Sequence, residues 1–251
     1  MIITKTPREI EFMRAAGKIA AEARELAGSL VQVGATTRSI DKAIHKYLTE
    51  QKAIPTFLGY RDFPANVCIS INEEVIHGIP GTRRLMQGDI VSIDIGATKN
   101  GYIGDCAGTF IAGKGSPESE NLVRVTRECF YEGLKQAKSG NRVSDISRAI
   151  QQHAEANGFS VVREYTGHGV GRKLHEPPEI PNYIETPRKN KDPRLLPGMT
   201  LAIEPMINAG KPEILILKDG WTIVTADSSP SAHYENTILI TENEPEILTK
   251  S

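Results

Sequence analysis

The chain has 251 residues, 39% of them hydrophobic, and its 30 Lys and Arg against 31 Asp and Glu leave a formal charge of −1. That size supports a core without staples, the apolar content excludes a disordered chain, and the balanced charge speaks against a DNA-wrapping or membrane-coating protein. No apolar run approaches the ~18 residues of a membrane span, the first residues lack the features of a secretion signal, and three scattered cysteines (Cys68, Cys106, Cys129) make neither a disulfide framework nor a cysteine zinc site. The expectation is a cytoplasmic α/β protein with no membrane and no DNA partner.

Thr6-Pro7-Arg8-Glu9 is a capping box with proline at the first helical position. Ile10, Met13, Ala16, Gly17, Ala20 and Ala23 continue a helical stripe that closes by Gly34. A second helix carries Ile40, Ala43, Ile44, Tyr47 and Leu48. A short strand is expected at 67–71. The runs 88–95 and 102–111, separated by Lys99-Asn100-Gly101, predict a hairpin. Ser116-Pro117-Glu118 opens a third helix, and Ile146, Ala149, Ile150 and His153 mark a fourth, which Asn157-Gly158 ends. Residues 181–198, rich in Pro, Lys and Arg, predict a surface loop. Strands are expected at 199–203, 214–217, 221–225 and 235–241.

The order of motifs repeats. Gly34…Ile40…Ala43-Ile44 returns 106 residues later as Gly140…Ile146…Ala149-Ile150. Arg84-Leu85-x-x-Gly88…Ile93-Asp94 returns after 110 residues as Arg194-Leu195-x-x-Gly198…Ile203-Glu204. His77-Gly78-Ile79-Pro80 is echoed 98 residues on by His175-Glu176-Pro177-Pro178. Three matches in the same order predict one domain over 1–251 built of two pseudo-symmetric halves, 1–112 and 113–251, facing each other across a seam.

Acids fall at that seam. With a Lys99-Asn100 turn, Asp94 and Asp105 are directly opposite; with an Asn100-Gly101 turn, Asp94 opposes Ala107 and Asp105 is its diagonal neighbour. Either way both carboxylates share a face, where like charges destabilise unless a cation lies between. Two aspartates alone would suit a solvated hairpin. The second half changes that reading. Glu204 is the repeat partner of Asp94 in an otherwise apolar stretch, where a lone charge is costly. Glu235 precedes its strand as Asp105 precedes Thr109-Phe110-Ile111. His168 sits among glycines in Gly167-His168-Gly169. Four carboxylates and an imidazole suit two divalent ions, Mn²⁺, Fe²⁺ or Co²⁺ before Zn²⁺ or Ni²⁺. His77 and His175 remain for substrate.

These residues resemble methionine aminopeptidase of type I, the bacterial kind, a metallopeptidase family with the pita-bread fold. The resemblance spans essentially the whole chain. It is carried by Asn66 to Glu73, His77-Gly78-Ile79-Pro80, Gly88 to Asp94, Gly104-Asp105, Gly167 to Gly171, Glu204-Pro205 and Asp219 to Thr222. It implies metal ligands at Asp94, Asp105, His168, Glu204 and Glu235, with Asp105 and Glu235 bridging two ions. It implies that a metal-bound hydroxide attacks the first peptide bond while Glu204 relays the proton, His175 polarises the carbonyl and His77 contacts the scissile nitrogen. It implies a methionine pocket of Tyr60, Cys68 and Trp221, joined by Phe57 and Phe63. Phe57 and Leu174 depart from residues seen in some relatives, which touches the pocket's shape. The implied work is removal of the initiator methionine from nascent chains at the ribosome exit, when the second residue is small, by a monomer. An X-Pro aminopeptidase or dipeptidase of the same fold is the rival, set against by the short stretch ahead of Asp94. A non-catalytic binding relative is set against by the full ligand set.

Overall fold

The computed structural model describes residues 2–184 and 192–251. The centre of the predicted loop 181–198, residues 185–191, lies outside the described residues. In chain order the first half holds α1 (Pro7–Ser29), α2 (Thr37–Glu50), β1 (Ile54–Pro55), β2 (Cys68–Ile71), β3 (Glu74–Ile76), β4 (Ile90–Lys99) and β5 (Tyr102–Ile111). The second holds α3 (Pro117–Gln136), α4 (Val143–Ala156), β6 (Ser160–Val161), β7 (Gly167–Gly169), β8 (Glu176–Ile180), β9 (Thr200–Ile203) and β10 (Met206–Asn208). It continues with β11 (Ile214–Ile216), β12 (Ile223–Thr225), β13 (Ser231–His233), β14 (Glu235–Leu239) and β15 (Glu246–Ile247). All four predicted helices are present, and none is long and apolar enough to cross a membrane.

The start of α1 is the predicted capping box. Thr6 N–H donates to Glu9 Oε2 at 2.9 Å, and Glu9 N–H returns a bond to Thr6 Oγ1 at 3.4 Å. Tyr102 O–H also donates to Glu9, at 2.7 Å, which ties the first turn of α1 to β5. The hairpin β4–β5 closes on Asn100-Gly101, both left-handed (φ 52° and 76°), the conformation a two-residue turn of this kind demands. The register follows: Asp94 opposes Ala107 and Asp105 opposes Gly96. Of the two registers open to the sequence, the diagonal one is therefore adopted.

A sheet of nine strands runs β1-β4-β5-β14-β9-β7-β8, with β2 on β4 and β15 on β14. Its first-half and second-half strands meet where β5 pairs with β14, at Ala107↔Glu235 and Cys106↔Asn236. Thr237 Oγ1 reinforces the junction, accepting from Asp105 N–H at 3.1 Å and donating to Asp105 O at 2.9 Å. Arg24 of α1 reaches the same place and donates to Glu235 O at 3.1 Å and Asn236 Oδ1 at 2.9 Å. Helix α1 can lie this close to β5 because Gly17 meets Gly104; a Cβ on Gly104 would stand 2.5 Å from the Gly17 Cα.

The repeated motifs make repeated contacts. Gly34 N–H bonds Leu85 O at 2.8 Å, and Gly140 N–H bonds Leu195 O at 3.0 Å. Arg84 donates to Gly34 O at 2.8 Å, and Arg194 to Gly140 O at 2.9 Å. Each half also packs its own core. Ile40, Ile44 and Leu48 join Ile93 and Ile95, while Ile146 and Ile150 join Leu201 and Ile203. The third echo does not extend to backbone setting. His77 follows β3, which pairs with β12 in a separate three-stranded sheet, whereas His175 immediately precedes β8.

Candidate metal centre

Strand pairing lays the site out on one face of the large sheet. Cys68 opposes Asp94, Asp94 opposes Ala107, and Ala107 opposes Glu235 in successive antiparallel pairs, so their side chains rise on the same side. Asp105, two residues from Ala107, shares that face. His168 opposes Ala202, and Ala202 opposes Thr237, two residues beyond Glu235. Glu204 directly follows Ile203, the partner of Asn236, which brings it beside Glu235. The residues between the acids are small: Gly96, Ala107 and Ala202. Space is left above the sheet where the carboxylates converge.

His168 Nε2 lies 3.4 Å from Glu204 Oε1 and 3.8 Å from Asp105 Oδ2. Asp105, His168 and Glu235 each offer a ligand atom, all within 4.8 Å of one another. Nδ1 of His168 stands 2.9 Å from Gly169 O, and because a carbonyl only accepts, Nδ1 carries the proton and Nε2 turns its lone pair to the acids. Burial pushes the Asp94 carboxyl up to about 7. Burial and then the like charges of their neighbours hold Asp105, Glu204 and Glu235 well above the carboxylate range. Burial, then His175, takes His168 down to about 3.

Four acids with raised pKa beside a neutral imidazole form a site short of positive charge. Among the described residues the only basic side chains within ion-pair reach of these acids are His168 and His233. One oxygen of each acid, Asp94 Oδ1, Asp105 Oδ1, Glu204 Oε1 and Glu235 Oε1, is buried without a hydrogen-bond partner. A buried polar atom left so costs on the order of 1–3 kcal/mol, and a charged one more. Oxygen donors that are orphaned, convergent and joined by an imidazole nitrogen fit divalent cations of the Mn²⁺, Fe²⁺ and Co²⁺ kind.

All twelve residues singled out from the sequence line one cavity of about 1110 Å³. Phe63 and Trp221 meet edge to face at 5.0 Å, and His77 lies 6.2 Å from Trp221. Phe57, Phe63 and Cys68 belong to a buried apolar cluster with Met13 and Leu174, and Tyr60 and Trp221 pack against it. Trp221 stands two residues ahead of β12, not within a strand as 221–225 predicted, and Asp219 holds it by accepting from its N–H at 2.9 Å. His77 is left-handed at φ 59°, a strained setting for a residue with a Cβ, and such strain collects at functional sites. Burial lowers its pKa to about 4.

Two residues near the site were missed from sequence. Tyr165 packs edge to face on His77 at 5.6 Å. His233 is 2% exposed, its Nε2 has no hydrogen-bond partner, and that atom faces Glu204 Oε2 at 3.9 Å. A usable signal existed for His233, which sits two residues before Glu235.

The model of metallopeptidase family M24 matches residues 11–242. The chain belongs to metallopeptidase family M24, and as such it uses divalent metal. Within that family its similarity is to methionine aminopeptidases: it is 51% identical over 250 residues to methionine aminopeptidase 1 of Bacillus subtilis, with 100% of both chains covered. It is likewise 51% identical over 249 residues to the methionine aminopeptidase of Clostridium perfringens, with 99% of each covered. The crystal structure of methionine aminopeptidase from Thermotoga maritima matches with a TM-score of 0.96 at 45% identity, covering 100% of both chains. The mixed α/β pita-bread architecture expected from the sequence is the one observed.

Proposed function

We propose that the chain is a metalloaminopeptidase that removes methionine from polypeptide N-termini when the second residue is small. The observation that carries the reading is the convergence of four acids with orphaned buried oxygens and one imidazole lone pair, beside a pocket of sulfur and rings. Identity near one half to methionine aminopeptidases over the whole chain supports it, and favours it over the X-Pro reading.

Asp94, Asp105, His168, Glu204 and Glu235 would hold two divalent ions, with Asp105 and Glu235 serving both. The chemistry such ions would supply there is a water of lowered pKa and a polarised substrate carbonyl. Glu204, with one oxygen toward His168 and the other toward His233, takes the water's proton and returns it to the leaving amine. His175 steadies the negative charge that develops on the carbonyl oxygen, and His77 contacts the scissile nitrogen. Cys68, Phe63 and Trp221, with Tyr60 and Phe57, enclose the unbranched thioether; sulfur–ring contacts of this kind favour methionine. The donor set suits Mn²⁺, Fe²⁺ or Co²⁺ before Zn²⁺ or Ni²⁺. We place the work in the cytoplasm, on nascent chains at the ribosome exit, by a monomer whose residues 1–251 act as one catalytic domain.

The test is a peptide panel, Met-Ala-Ser, Met-Leu-Ser, Leu-Ala-Ser and Ala-Pro, given to chelator-stripped protein reloaded with one ion at a time. Free methionine should appear from Met-Ala-Ser alone. Release of alanine from Ala-Pro instead would overturn the reading.

A further inference from the structure

Tyr60 and His175 come from opposite halves of the chain and meet across the cavity. The phenol oxygen lies 2.7 Å from His175 Nδ1, and the ring centroids are 5.5 Å apart. The segment that delivers Tyr60 is unusual. Gly59 is left-handed at φ 79°, and Arg61 and Asp62, both with a Cβ, follow at φ 48° and 70°. For Arg61 and Asp62 that conformation is strained, and it persists where surrounding contacts over-determine it. Here Tyr60 N–H bonds Phe57 O, Phe63 N–H bonds Tyr60 O, and Gly59 N–H bonds Phe63 O, each at 2.9 Å. The strained turn holds the phenol aimed at the imidazole.

His175 is held separately along its backbone. Its neighbour Glu176 is paired with Lys5 at 2.6 Å, both side chains nearly buried, and accepts from Lys173 N–H at 3.2 Å. What these contacts leave open is the rotation and tautomer of the ring. A neutral imidazole has one donor nitrogen and one acceptor, and the bond made at one nitrogen decides the character of the other.

We propose that Tyr60 is the positioning residue for His175: its O–H donates to Nδ1, which puts the imidazole proton on Nε2 and turns that N–H toward the substrate carbonyl. This rests on the reading above, in which His175 stabilises the developing oxyanion. With Nδ1 as donor instead, Nε2 would present a lone pair and repel the same oxygen. The role differs from lining a methionine pocket, because it resides in one hydroxyl and a phenylalanine ring cannot supply it.

Tyr60→Phe in the metal-loaded enzyme tests it. We expect kcat to fall about 10- to 100-fold, the usual cost of losing an orienting hydrogen bond on a working histidine. KM and the preference for methionine over leucine should stay within about twofold, since the ring remains. In a His175→Ala background, Tyr60→Phe should cost nothing further. Nitrogen-15 spectra of the zinc-loaded, diamagnetic enzyme should show His175 protonated at Nε2, with that signature weakened in Tyr60→Phe. An unchanged kcat in Tyr60→Phe, losses that add in the double variant, or a His175 protonated at Nδ1 would each overturn the proposal. If His175→Ala itself keeps full kcat, the role given to His175 is what fails; if His175→Ala is impaired and Tyr60→Phe is not, only the positioning role fails.

Discussion

Replacing Asp94 by asparagine should stabilise the metal-free protein while removing a proposed ligand. Asparagine keeps the shape of the side chain and cannot ionise. Burial raises the Asp94 carboxyl from 3.8 to about 7 in the folded chain. A carboxyl that binds its proton more tightly folded than unfolded contributes stability in full below about pH 4, and loses it as pH climbs through about 7. A rise of about three units is worth about 4 kcal/mol for a dry group. Solvent reaches one side of the half-buried Asp94 through the cavity, so about half of that, ~2 kcal/mol, is expected. The assay is guanidinium unfolding in chelator, followed through Trp221, the only tryptophan in the chain. At pH 8.5 Asp94→Asn should exceed the wild type by about 2 kcal/mol, and the gap should close by pH 4. With Mn²⁺ added the order should reverse, because ligand binding stabilises the native state in proportion to its affinity. A metal-free Asp94→Asn that is less stable than the wild type at pH 8.5 would mean instead that the carboxylate anchors the fold.

Lys5→Met strands the buried carboxylate of Glu176, which Lys5 meets at 2.6 Å, and should cost about 3–5 kcal/mol in chemical denaturation. Adding Glu176→Leu should recover most of that loss. His77→Ala and His175→Ala should each lower kcat by roughly 10–10³-fold with metal affinity unchanged in calorimetry; loss of an ion would make either histidine a ligand. Trp221→Ala should lower kcat/KM for Met-Ala-Ser, with a smaller loss for substrates of bulkier first residue. A variant that only melts earlier would place Trp221 in the core and out of the pocket.

What was legible in the sequence is what is local or repeated. The capping box at Thr6, the alternation through Ile90 to Ile95 and the Asn100-Gly101 turn each specify their element within a few residues, and the hairpin follows with its acids on one face. The repeat made Glu204 suspicious, because it supplied a second occurrence of Asp94's surroundings. The short strands were mostly not legible. β7 is Gly-His-Gly, a composition that local preference sets against strand, and it forms because β8 and β9 flank it. β3, β6, β10 and β13 have two or three residues each, too few to show a period. The Tyr60–His175 bond joins residues 115 apart and depends on a left-handed turn that no glycine at Arg61 or Asp62 announces.

Calorimetric titration of the stripped protein with Mn²⁺, with methionine release measured at each addition, tests the proposed centre most directly. The wild type should bind two equivalents per chain and gain activity as they fill. Asp105→Ala, which removes the carboxylate proposed to serve both ions, should lose both equivalents and all release of methionine. Full activity in Asp105→Ala at ordinary metal concentrations, or two equivalents still bound, would rule out Asp105 as a ligand of both ions.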